Sequence, residues 1–136
     1  MKRNVIIAFS ILLLLFNGIG ACYGSLKFIT DPSGASMGIP LSMLQHSPFG
    51  NYLIPGIILL IANGLMSFVV IGLILLKLRI YPYAIISEGC ILFGWITIQV
   101  LLLQTIAGLH IALWLVALML IASGLVLRKQ EVVRLL

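Results

Sequence analysis

Apolar positions along the chain fall in four long blocks, residues 5–26, 53–76, 84–104 and 109–127, and the charged residues lie almost entirely between and beyond them. None of the blocks alternates polar with apolar residues as a barrel strand would. A hydrocarbon core about 30 Å thick requires about 20 helical residues at a rise of 1.5 Å each. Each block meets that length, and a backbone in lipid must satisfy its own hydrogen bonds, so helix is the state the pattern predicts. The expected fold is therefore an all-α integral membrane protein. It is a bundle of four transmembrane helices in a single domain over residues 1–136, with a long outer loop over residues 27–52 between the first and second helices.

Composition strengthens this reading. Of 136 residues, 62% are hydrophobic and only 8% charged, against about 25% charged in ordinary soluble domains. The mean hydropathy is +1.28. Eleven charges, eight basic and three acidic, are too few to clothe a soluble domain of this size. Disordered chains, coiled coils, disulfide-stapled secreted domains and nucleic-acid binders are excluded on the same ground, despite a net charge of +5.

The distribution of charge says more than its sum. Lys2 and Arg3 precede the first block, Lys77 and Arg79 follow the second, and Arg128, Lys129 and Arg134 follow the fourth, whereas Lys27 stands alone on the opposite side. The positive-inside rule then places both termini in the cytoplasm and the long loop outside. Tyr23, Tyr52, Tyr81, Tyr83 and Trp114 fall near the block ends, where interfacial aromatic residues are favoured. Short links around Pro82 and over residues 105–108 make the last three helices antiparallel neighbours. The stretch Ile19-Gly20-Ala21-Cys22 after Lys2 and Arg3 resembles a bacterial lipoprotein signal, but the apolar run continues to Leu26. Retention of the first helix, with Cys22 unmodified, is the expectation.

Asp31-Pro32-Ser33-Gly34 in the outer loop is a turn sequence. Pro40 suits the start of a short helix, and Ser47-Pro48 reads as an N-cap followed by a first-turn proline. With Ile39, Leu41, Met43, Leu44 and Phe49 also present, the loop is expected to fold back as a lid at the membrane interface. It either roofs a cavity, to which Asp31, Gln45 and His46 contribute, or simply caps the bundle.

Polar residues inside the apolar blocks are the other candidates. Glu88 is the one acidic residue within a block, and intramembrane carboxylates are costly enough to suggest function. It either serves a site or reaches back to Lys77 or Arg79 at the cytoplasmic boundary. Helical spacing puts Trp95 and Gln99 on its face, which should be interior, with Asn17 or Asn63 hydrogen-bonding to Gln99. Ser10, Asn17 and Gly24 repeat every seven residues, as do Gly56 and Asn63, and Ser67 follows Asn63 by one turn. Together with His110 these residues suggest a polar cluster beneath the lid, serving either a ligand or interhelical hydrogen bonding alone. Gly20 with Gly24, Ala21 with Ser25, and Gly108 with Ala112 are small-residue pairs that permit close helix approach within one chain or in a homodimer. No Cys-x-x-Cys pair, metal-ligand spacing or phosphate loop is present, and Cys22 and Cys90 lie too far apart in depth to bond.

The segments Asp31-Pro32-Ser33-Gly34, Gly38-Ile39-Pro40-Leu41, Ser47-Pro48-Phe49 and Tyr52-Leu53-Ile54-Pro55-Gly56, followed by Gly94-Trp95-Ile96, resemble those of small bacterial four-span membrane proteins and are loosely similar to DoxX-like proteins. The resemblance implies a bacterial inner-membrane protein without supplying a catalytic motif. Three functions fit the residues. The first is binding of a lipid-like or quinone-like apolar small molecule in the bundle, through Asn17, Asn63, Glu88, Trp95, Gln99 and His110 with Asp31 and His46 from the loop. The second is an accessory or scaffolding subunit beside a membrane protein partner. The third is a small transporter or membrane enzyme using Glu88. Membrane lipids are partners in every case, no cofactor is specified, and a non-enzymatic role is favoured.

Overall fold

The computed structural model describes residues 2–135, and its long helices are α1 (Arg3–Thr30), α2 (Leu53–Leu75), α3 (Tyr81–Leu103) and α4 (Gly108–Leu135). All four are long and apolar enough to cross a membrane, and no strand occurs among the described residues. The helices outrun the apolar blocks, because hydropathy marks contact with lipid whereas helical hydrogen bonding continues into water. Thus α1 extends past residue 26 to Thr30 and α4 past residue 127 to Leu135. Lys27 and Arg134 occupy the final turns of these helices, where cations favour the exposed carbonyls.

The helices run up and down, with Arg3 of α1, Tyr81 of α3 and Glu131 of α4 bonded together at one end. This basic end carries Lys2, Arg3, Lys77, Arg79, Arg128, Lys129 and Arg134, while Lys27 belongs to the loop end. The main apolar core lies between the helices and includes Leu14, Val70, Ile85, Leu92, Ile96, Ala117, Leu120 and Leu127.

Two glycines set the spacing of the α3–α4 hairpin. A Cβ at Gly89 would stand 3.0 Å from the Ala117 carbonyl, and one at Gly124 would stand 3.0 Å from the Pro82 carbonyl. These backbone contacts leave no room for a side chain. Trp114 Nε1 closes the same pair by donating to Thr97 Oγ1 at 3.2 Å. Between α1 and α2, Gly64 packs on Cys22 and Gly56 on Phe28. Ala21 and Ser25 are buried along α1, whereas Gly20 faces open space and Gly108 and Ala112 are exposed. Of the small-residue pairs, Ala21 with Ser25 thus lies on a buried face.

Helix α2 has three parts, α-helical at Leu53–Leu59, π-helical at Leu60–Leu65 and α-helical again at Met66–Leu75. Pro55 sits in its first turn, where a missing N–H costs little. The chain leaves α2 through a Schellman turn, in which Leu78 N–H donates to Leu73 O and Lys77 N–H to Ile74 O, both at 3.1 Å. Lys77 takes the left-handed position usually given to glycine, at φ 56°.

The loop between α1 and α2 folds back onto the helices as expected. Asp31 accepts from Ser33 Oγ at 2.6 Å and from Ser36 N–H at 3.0 Å, fixing the turn. These two donors hold its carboxyl below the ordinary carboxylate range. Short 3₁₀ helices follow at Ala35–Met37 and Leu41–Leu44, the second starting after Pro40. Tyr52 anchors the loop by stacking on Phe28 with ring centroids 4.8 Å apart and donating its hydroxyl to Pro40 O at 2.9 Å. It forms a second small core with Phe28 and Leu44, against which Leu103 of α3 packs. At Gly34 (φ 78°) a Cβ would strike Ile39 O and the Tyr52 ring. Ser47 departs from expectation, because its hydroxyl closes a local turn, donating to Leu44 O and accepting from Phe49 N–H, and no helix follows.

Candidate functional site

Two of the anticipated polar residues, Asn17 and Glu88, meet at Ser67 inside the bundle, and Asn63 lies one turn before Ser67 on α2. Asn17 lies midway along α1, Asn63 in the π-helical turn of α2, and Glu88 two turns, or about 10 Å, into α3. The side chain of Asn17 is 4% exposed, and those of Asn63, Ser67 and Glu88 are fully buried. Asn17 Nδ2 donates to Ser67 Oγ at 2.9 Å and to Glu88 Oε1 at 3.1 Å. The one Ser67 hydroxyl proton is divided between the Asn63 carbonyl at 2.6 Å and Glu88 Oε1 at 3.2 Å. A serine hydroxyl that bonds back to the carbonyl one turn earlier loosens and bends a helix locally, and here it does so where the π-helical turn ends.

The centre is incomplete. Glu88 Oε2, Asn63 Nδ2 and Asn63 Oδ1 are buried without a hydrogen-bond partner. Each such atom costs about 1–3 kcal/mol, and the large majority of buried side-chain polar atoms in native proteins avoid that cost. Chemically, Asn63 offers one donor group and one acceptor, while Glu88 Oε2 accepts when ionised and donates when protonated. Each of the two side chains thus keeps hydrogen-bonding capacity that the protein's own groups leave unused.

Several sequence expectations need correction. Glu88 does not reach back to Lys77 or Arg79, since it is sealed among Asn17 and Ser67. Asn17 is committed to Ser67 and Glu88 rather than to Gln99. The buried stripe of α3 runs through Ile85, Glu88, Gly89, Leu92 and Ile96, so Trp95 and Gln99 lie on its flank and are half-buried. Helical spacing alone left the centre of that stripe undetermined by one position. The polar cluster sits at mid-span rather than beneath the lid. His110 is buried, but its Nδ1 accepts from Ala107 N–H at 2.9 Å and so caps the start of α4. Asp31 is engaged in its own turn, and His46 is exposed beside Gln45. Ser10 bonds back to Ile6 O within α1. Cys22 and Cys90 are both free thiols.

Ser67, placed in the polar cluster by its one-turn spacing from Asn63, bonds Asn17, the backbone carbonyl of Asn63 and Glu88. One residue of consequence was not among the candidates. Glu131 gathers Arg3, Tyr81 and Arg134 at the basic end. Its signal is a lone acid among basic residues beyond the fourth apolar block. Among the described residues no group of three His, Cys, Asp or Glu side chains lies close enough to hold a metal ion. Compared with protein-family models, with curated proteins and with solved structures, the chain matches none.

Proposed function

We propose that this chain is a multi-pass protein of a bacterial inner membrane, with its basic end in the cytoplasm, that binds an apolar small molecule through the mid-span polar centre. The supporting observation is the set of three unpartnered buried atoms, Asn63 Nδ2, Asn63 Oδ1 and Glu88 Oε2. A closed bundle carries the cost of leaving them unpaired, and a ligand bearing a carbonyl or hydroxyl on an apolar body would relieve it. Quinone-like and lipid-like molecules have that character, and both partition into a bilayer. The π-helical turn carrying Asn63 supports the reading, because such turns recur at functional sites. The orientation rests on seven basic residues at one end against Lys27 at the other, and the bacterial source on the resemblance of the loop.

Native mass spectrometry after gentle extraction tests the binding role. Wild type should retain a small molecule, and Asn63→Leu, which removes the amide but keeps the volume, should lose it. Equal retention in both, or none in wild type, contradicts the proposal. A small transporter built on Glu88 is the second reading, favoured by the burial of this carboxylate at depth. It predicts a Glu88-dependent ion or proton flux in proteoliposomes.

A further inference from the structure

A second polar feature lies at the basic end, apart from the mid-span centre. A cavity of about 410 Å³ opens there where α1, the α2–α3 turn and the end of α4 converge, a size typical of small-molecule sites. Four cations line it, Arg3, Lys77, Arg79 and Arg134, against one carboxylate, Glu131. That carboxylate is already engaged. Arg3 Nη2 lies 2.7 Å from its Oε1, Tyr81 OH donates to the same oxygen at 2.8 Å, and Arg134 Nη2 lies 3.2 Å from Oε2. Among the described residues Lys77 and Arg79 have no ion-pair partner.

The walls change character with depth. Ile7, Ile11 and Ile74 supply apolar surface on the helix side. A smaller cavity of about 260 Å³ lies on the other flank of Arg79 and Arg134 and adds Arg128. Cations at the water boundary above apolar walls match a molecule with an anionic head and a hydrocarbon body. Setting topology would not require this construction, since Lys2 and Lys129 line neither cavity and serve that purpose equally well. Glu131 instead holds Arg3 and Arg134 side by side, and guanidinium groups fixed in this way suit phosphate oxygens.

We infer that the cavity among Arg3, Lys77, Arg79 and Arg134 is a binding site for the phosphate headgroup of an anionic phospholipid. Lys77 and Arg79 make the contacts that charge alone would predict, and the Glu131-held arginines give the site its shape. A single basic residue near an anionic headgroup is worth roughly a factor of five in binding.

The test uses the full-length protein in detergent, titrated with dioleoyl phosphatidylglycerol or dioleoyl phosphatidylcholine and read by native mass spectrometry. Phosphatidylglycerol should be retained in preference, and Lys77→Gln with Arg79→Gln should weaken its binding roughly 25-fold. The charge-matched pair Lys2→Gln with Lys129→Gln should leave it within about twofold, on the expectation that charges outside the cavity contribute little. Thermal unfolding of both double variants establishes that each remains folded, because Arg3, Tyr81 and Glu131 are untouched. Equal retention of the two lipids, or equal losses in the two double variants, overturns the site. Stabilisation by inorganic phosphate alone, with no lipid preference, overturns the lipid assignment and gives the cations to a soluble phosphate compound.

Discussion

Glu88 and Glu131 stand on α3 and α4, which pack against each other through Gly89 and Gly124, but their carboxylates are satisfied to different degrees. Glu131, at the water boundary, has both oxygens engaged, Oε1 by Arg3 and Tyr81 and Oε2 by Arg134. Glu88, at mid-span, has a neutral amide and a hydroxyl at Oε1 and nothing at Oε2. Where water is near, charge is met by charge and the group ties three helices together. Where water is excluded, the partners are neutral and too few. A complete polar cluster is explained by architecture alone, whereas an incomplete one deep in the bundle costs stability that architecture does not need. The difference is what motivates the proposal that Glu131 serves the architecture and Glu88 a ligand.

The largest effect is expected where the network is complete. Glu131→Gln removes both ion pairs and should lower stability by about 1–3 kcal/mol, the half-exposed arginines keeping it below a fully buried pair. Arg134→Gln should cost less than about 1 kcal/mol, because the side chain of Arg134 is 62% exposed. Thermal unfolding in one detergent measures both, and equal losses would break the description of Glu131 as a hub.

A smaller effect of opposite sign sharpens the same point. Lys77 holds a left-handed conformation at the basic end, so Lys77→Gly should stabilise by about 0.5–1 kcal/mol. A loss instead would show that the basic end depends on that lysine, and not on the Glu131 network alone.

The smallest effect concerns the third carboxylate. Asp31 titrates below the ordinary carboxylate range because Ser33 and Ser36 donate to it. Its contribution to the turn is therefore complete above the ordinary value and is lost as pH falls through the depressed one. Protection of the Ser36 amide in hydrogen exchange should persist at neutral pH and decline only in strong acid, and Asp31→Asn should weaken it at neutral pH.

Much of this was legible in the sequence, and the reasons differ by residue. Four apolar blocks gave four helices, because burial in lipid leaves the backbone no alternative. Asp31-Pro32-Ser33-Gly34 gave its turn, because those side chains act on their own backbone. Asn17, Asn63 and Glu88 stood out as polar residues in apolar surroundings. That Asn17 and Glu88 meet at Ser67 was not legible, since it depends on how far α1 and α2 rotate and slide when Gly64 packs on Cys22 and Gly56 on Phe28. The π-helical turn shifts the face of α2 again, and no residue type announces it. Trp95 and Gln99 were placed too centrally for the same reason, the spacing giving their common face but not its orientation. Glu131 lies beyond the last apolar block, so hydropathy alone does not place it on a helix beside Arg3 and Tyr81.

The central claim, that Asn63 is kept for a ligand whereas Asn17 holds the bundle together, is tested by making the same substitution at both. Asn17→Leu takes away the donor to Ser67 and Glu88 and should destabilise the ligand-free protein by about 1–3 kcal/mol. Asn63→Leu takes away two atoms that have no partner and should leave the melting temperature unchanged or raise it. A loss for Asn63→Leu as large as that for Asn17→Leu would contradict the account, for it would make Asn63 an ordinary structural amide.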